Sequence, residues 1–150
     1  MKTILRYLGY AWASPVTLFG LIYAMIFWAL RYYTWHGYKG VSLVWRVNNN
    51  RSPKWLSSLW KSWAGHTIGQ VVIIKYDDTD PRWHEILTHE QEHVRQCMKL
   101  GFMQPVLYMI FSVSIWLACP NSNPYYSNPF EVDARRQAGE IVDVEGKLKK

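Results

Sequence analysis

The chain has 150 residues, about the size of one domain, and 49% of them are apolar, enough for a core. The formal charge of +6 suits anionic lipid as well as nucleic acid, but no basic, aromatic-interleaved nucleic-acid motif is present, so nucleic acid is not expected as a partner. Two cysteines, Cys97 and Cys119, make no disulfide framework and no Cys-x-x-Cys metal site.

Residues Tyr7 to Leu30 carry no charged side chain, and a membrane span needs about 20 apolar residues. Tyr7, Tyr10 and Trp12 stand at one end, and Trp28, Tyr32, Tyr33 and Trp35 at the other, as in an aromatic belt. "AWAS" at 11–14 looks like a signal-peptide cleavage box, but the apolar run before it is too short. The sequence therefore predicts an uncleaved membrane anchor over residues 1–35, a domain over 36–150, and the lipid bilayer as a partner. Arg31, Lys39 and Arg46 after the span, against Lys2 and Arg6 before it, give a slight lean toward a single-pass protein with a cytoplasmic domain.

Apolar positions at 41, 43, 45 and 47 predict a strand, and "NNNRSP" a turn. Ser52 and Pro53 open a short amphipathic helix carrying Leu56, Leu59, Trp60 and Trp63, with Lys54 and Lys61 beside them; it lies on a membrane surface or packs on a sheet. The β-branched stretch 67–76 predicts a second strand. Asp80 and Pro81 open a helix that Gly101 closes. Residues 102–118 form a second uncharged run, fit for a second span, a re-entrant or interfacial helix, or a core helix. Asn128 and Pro129 open the last helix, which runs past Ala138. The fold class expected is α+β.

"THEQEHVRQ" at 88–96 carries the chemistry. Residues four apart share a helix face, so His89 and His93 can offer both imidazoles to one metal. Zinc takes imidazole nitrogen and keeps a position open for water in a catalytic site. Glu90 can reach such a water, take its proton and pass it to a leaving amine. The alternative is a solvated helix face with incidental histidines.

His89-Glu90-Gln91-Glu92-His93 resembles the His-Glu-x-x-His signature of the zincin metallopeptidases. The resemblance implies a minimal zincin-like domain: a small sheet, the motif helix, an apolar helix and a Glu-bearing helix. It implies Zn2+ as cofactor, hydrolysis of a peptide or protein substrate, His89 and His93 as ligands and Glu90 as the catalytic base. The long metzincin form is excluded, because Gln96 and Lys99 stand where it needs Gly and His. "NPFEVDA" at 128–134 is similar to the Glu-bearing helix of compact bacterial and phage peptidases of gluzincin type. That similarity implies Glu131 as third ligand, with Asp133 orienting a ligand histidine or ligating in its place. The competing role for Glu131 is a capping box with Asn128, or a pair with Arg135 at i+4. For the oxyanion donor, Tyr126 and His66 are preferred among Tyr125, Tyr126, Arg135, His84 and His66.

The zinc reading requires residues 102–118 not to cross the bilayer, since crossing would put Glu131 on the far side from the histidines. Two rival readings remain: a membrane protein that binds zinc without catalysis, and a two-span accessory protein without metal.

Overall fold

The computed structural model describes residues 2–59 and 63–140. Trp60 and Lys61 of the expected amphipathic helix, and the lysines at 147, 149 and 150, lie outside the described residues. The fold is mixed α and β. Helix α1 (Lys2–Ala29) is followed by strands β1 (Tyr33–Lys39) and β2 (Ser42–Val47), then α2 (Lys54–Leu59). Strands β3 (Gly65–Ile68) and β4 (Val71–Ile74) precede α3 (Trp83–Leu100), α4 (Met103–Ala118), α5 (Pro124–Ser127) and α6 (Pro129–Ala138).

The four strands lie in the order β1-β2-β4-β3, with β2 and β4 parallel and the outer pairs antiparallel. Successive strand residues face opposite sides. Trp45, Val47, Val71 and Ile73 therefore share one face with Ala24 of α1, and Val44, Val72 and Ile74 share the other with Trp83 and Val94 of α3. The sheet is a layer between two helices. That is why β4 reads Val-Val-Ile-Ile without alternation: all four side chains are buried.

Helix α1 is long and apolar enough to cross a membrane. It ends with a backbone hydrogen bond from Tyr32 N to Phe27 O and another from Arg31 N to Trp28 O, and Arg31 sits at φ 62. This is the Schellman arrangement with arginine where glycine is usual, closed by the Phe27–Tyr32 ring contact. The chain then turns straight into β1. Tyr33 and Trp35, expected in an aromatic belt of the anchor, are strand residues, and Tyr33 is buried in the core. Glycines at 37 and 40 obscure β1 in the sequence. Gly37 adjoins a bulge, and Gly40 (φ 63) is in the hairpin turn.

Two further elements depart from expectation, and a third is narrowed. The stretch 67–76, read as one strand, is part of a hairpin, because Gly69 takes φ 64 and forms a two-residue turn with Gln70. Asp80 accepts a hydrogen bond from Arg82 N at 2.9 Å, as a cap would, but the regular helix starts only at Trp83. Helix α4 turns away from α3 by 112° and has no buried residue, so it is not a core helix.

Helix α1 meets the domain through small residues, and the contact is tight. A Cβ on Gly20 would lie 2.4 Å from the Ile68 carbonyl oxygen. Gly→Ala inside a helix normally stabilises by up to about 1 kcal/mol, but overpacking against backbone costs about 1–3 kcal/mol. Gly20→Ala is expected to lower stability by about 1–2 kcal/mol, measured by denaturant unfolding in detergent.

Candidate metal centre

His89 and His93 stand one turn apart on α3, with their rings nearly perpendicular and 5.0 Å between centroids. Glu131 reaches them from the first turn of α6. That helix is positioned by Asn128, whose Oδ1 accepts from Phe130 N at 3.0 Å. The Asn128 Nδ2 donates to Tyr108 O at 3.0 Å and to Ser112 Oγ at 2.8 Å, tying the start of α6 to α4. The cap is thus served by Asn128 alone. The Glu131 carboxylate turns to the histidines instead of closing a capping box, while still lying 3.6 Å from Arg135.

One Glu131 oxygen lies 3.3 Å from His89 Nε2, and the other lies 3.3 Å from His93 Nε2. A tetrahedral centre with bonds of about 2.0–2.1 Å separates its donors by about 3.3 Å, so the spacing fits a cation among them. The three ligand atoms lie within 4.8 Å of one another. Glu131 is 3% exposed, and its Oε2 accepts no hydrogen bond among the described residues. A carboxylate oxygen buried in that state is costly unless a cation meets it. His89, His93 and Glu131 could hold a metal ion.

Without an ion, protons on the histidines compensate the carboxylate. Burial alone would raise Glu131, yet the two histidines beside it hold it well below the usual carboxylate range. Burial likewise disfavours charge on His89, but Glu131 and Glu140 overcome it and raise that imidazole to about 9. His93 is raised against burial in the same way, by Glu131 and Glu90. Glu90 is pushed up by burial, opposed by the positive histidines. It is 5% exposed and packs on the edge strand β3. Thr67 Oγ1 donates to Glu90 Oε2 at 2.7 Å, and Gly65 leaves room for the carboxylate, which a Cβ there would meet at 2.8 Å.

Around the ligand atoms, the other ring nitrogens are occupied. His93 Nδ1 pairs with Gln96 Oε1 at 2.9 Å. Gln96 Nε2 in turn donates to Phe130 O and to Asp133 Oδ2, at 3.0 and 3.2 Å. Asp133 therefore bears on the histidine through Gln96 rather than directly. His89 Nδ1 faces Glu140 at 3.7 Å. Tyr108 of α4 donates to Glu131 Oε1 at 2.9 Å.

The two oxyanion candidates are not both brought here. His66 lies on β3 between Gly65 and Thr67, and strand alternation turns its ring to the opposite face, against Tyr23 and Trp63. Tyr126 is placed near α6, but its ring lies under the Arg135 guanidinium at 4.7 Å and its carbonyl accepts from that side chain. Burial and the adjacent Glu131 push up the hydroxyls of Tyr108 and, beside it, Tyr125. Gln96, Tyr108, Thr67 and Glu140 were not foreseen. Only Gln96 had a signal, standing three residues after His93 on one helix face.

No family model, curated protein or solved structure matches this chain.

Removing a group that orients a ligand histidine typically costs 10–100-fold in metal affinity. Gln96→Ala is expected to weaken binding by about that factor, read by chelator competition, with the fold retained by circular dichroism. His66 gives a separate pH signature. Burial lowers it to about 4 from the ordinary 6.5, so on acidification the unfolded chain takes up the proton first. Its contribution is fully favourable above pH 6.5 and is lost as pH falls toward 4, by about 3 kcal/mol. Denaturant unfolding across that range should show a smaller acid loss for His66→Phe than for wild type.

Proposed function

We propose that this protein is a zinc-dependent metallopeptidase held at a membrane by α1, acting on a peptide or protein substrate. The observation that carries the reading is the Glu131 carboxylate, 3.3 Å from both Nε2 atoms, with buried Glu90 next in sequence to His89. Two imidazoles and a carboxylate are a donor set that zinc favours, and three protein ligands leave a position for catalysis. Zinc, when bound, supplies Lewis acidity toward a carbonyl and acidifies water.

The chain's own residues do the rest. Glu90 accepts the proton of the attacking water and returns it to the leaving amine. Burial raises its pKa above the ordinary carboxylate value, which favours the protonated form it holds between taking and returning the proton. Thr67, donating at 2.7 Å, fixes which way that carboxylate points. Gln96 holds the His93 ring so that Nε2 faces Glu131, and Tyr108 holds the Glu131 carboxylate from the other side. If α1 crosses, the slight excess of Arg31, Lys39 and Arg46 over Lys2 and Arg6 leans toward a cytoplasmic domain.

Metal analysis of the purified protein is expected to find zinc, and to find it lost in His89→Ala, His93→Ala and Glu131→Ala. Glu90→Gln should keep zinc while cleavage of an unfolded protein substrate falls by about 10²-fold or more. Full activity in Glu90→Gln would remove the catalytic assignment, and a wild type that cleaves nothing but holds zinc would leave a structural or regulatory zinc protein. Equal metal content in wild type and the three ligand variants would remove the centre itself.

A further inference from the structure

Helix α1 packs with its side chains sorted in an order opposite to that of a helix in water. The fully buried residues against the domain are small, Gly9, Ala13, Thr17, Gly20 and Ala24, with Leu21, Tyr23 and Phe27 partly buried on the core beside the last of them. The side facing away is large and apolar, with Leu18, Phe19, Ile22, Met25 and Ile26 each more than half exposed. A helix in water turns its bulk inward. Small residues every three or four positions, letting backbones approach, are how helices pack when the surroundings are themselves apolar. Helix α4 likewise exposes large apolar side chains. Met109, Ile110, Trp116 and Leu117 are 52–68% exposed, and the helix carries no charged residue. The two helices meet at one corner, where Trp12 of α1 packs on Phe102, the residue before α4, with ring centroids 6.0 Å apart. Two exposed apolar helix faces that meet at this corner mark a membrane or a protein interface. Protein interfaces carry about ten hydrogen bonds. Here Ser14, on the outer side, gives its hydroxyl to Ala11 O within its own helix. Lipid is the occupant that asks for no polar partner.

The packing also bears on how α1 meets that lipid. Arg6 Nη2 donates to Gly40 O at 2.7 Å, Tyr10 and Tyr38 share a hydrogen bond of 2.9 Å, Gln70 N donates to Thr17 Oγ1 at 3.1 Å, and Tyr23 pairs with Tyr33 at 2.8 Å. Helix α1 therefore lies against the domain from Arg6 to Tyr23, and on to the Phe27–Tyr33 stack. That length is about 30 Å, the thickness of the hydrocarbon core. Were α1 to cross upright, the sheet beside it would enter too. It would bring the Arg46–Asp77 ion pair and the unpaired backbone edges of β1 and β3 into hydrocarbon.

We propose that α1 and α4 lie side by side along one leaflet, their large side chains immersed and the domain seated on the same side, so that the bilayer is entered but not crossed. The helix that the sequence reads as a span is then an in-plane layer of the domain. The inner side of α4 carries Tyr108, which reaches Glu131, so the centre stands about one helix diameter from lipid. Resting on the peptidase reading, the substrate class is a peptide segment held at the membrane surface, such as the stretch of a membrane protein next to its anchor.

The test uses the full-length protein in vesicles of phosphatidylcholine and phosphatidylglycerol. In a Cys119→Ser background, where Cys97 is buried, one cysteine is placed in a short tag before α1 and another at exposed Glu85. An impermeant thiol reagent should label both from the same side. Labelling from opposite sides means that α1 crosses and overturns the proposal. A fluorophore on Val113→Cys should lose emission to lipid-borne quenchers. If it stays unquenched by lipid, whether in water or under a second protein chain, the proposal fails. For the substrate class, a lipid-anchored peptide should be cleaved on the order of 10²-fold faster than the same peptide free in solution at equal bulk concentration. Equal rates overturn the substrate assignment, whereas no cleavage of either, with same-side labelling and quenching intact, fails the peptidase reading alone.

Discussion

A carboxylate buried between two imidazoles is the constraint around which the domain is arranged. Glu131 is buried and needs positive charge, which among the described residues His89 and His93, with a cation or with protons, supply at 3.3 Å and Arg135 at 3.6 Å. Satisfying it requires α6 to return across α3 after a long apolar excursion. The chain achieves this with Asn128, which caps α6 and grips α4 through the same side chain. Removing that grip would free α6 to move, and the charge would lose its partners. Burial of such groups is expensive unless they are paired, so the cluster adds little to stability and leaves room for a cation.

The sheet answers a different need. Placed between α1 and α3, it offers Gly65 and Thr67 to Glu90 on one face and Ile68 to Gly20 on the other. The edge strand β3 thus touches both α1 and Glu90, the residue after His89. Its four residues alternate between those two duties. That alternation is what removes His66 from the centre, although it is flanked by two residues that touch Glu90.

Helices α1 and α4 show how differently an apolar run can be used. Both passed through the sequence as stretches without charge, and span, core helix and interfacial helix share that composition. What separates them is which residues of the run are covered. In α1 the fully buried residues are small, and in α4 none is buried. Coverage depends on partners that come from distant parts of the chain, so no window of sequence contains it.

Local chemistry set much of this protein before folding. The i, i+4 histidines with glutamate between them are fixed by helical pitch, and Gly101 and Asn128 mark the ends of α3 and the start of α6 by backbone preferences any chain would obey. The β-branched runs named the strands, except where Gly69 hid a turn and glycines 37 and 40 disguised β1. Which acid joins the histidines was open in sequence, since Glu131 served a cap or a cluster equally well; packing of α6 on α3 decided it. The same holds for Gln96 linking Asp133 to His93, for Tyr108 reaching Glu131 from α4, and for the side of α1 that meets the domain. Each depends on the distance between segments far apart in the chain, and burial and close packing, not residue type, set that distance.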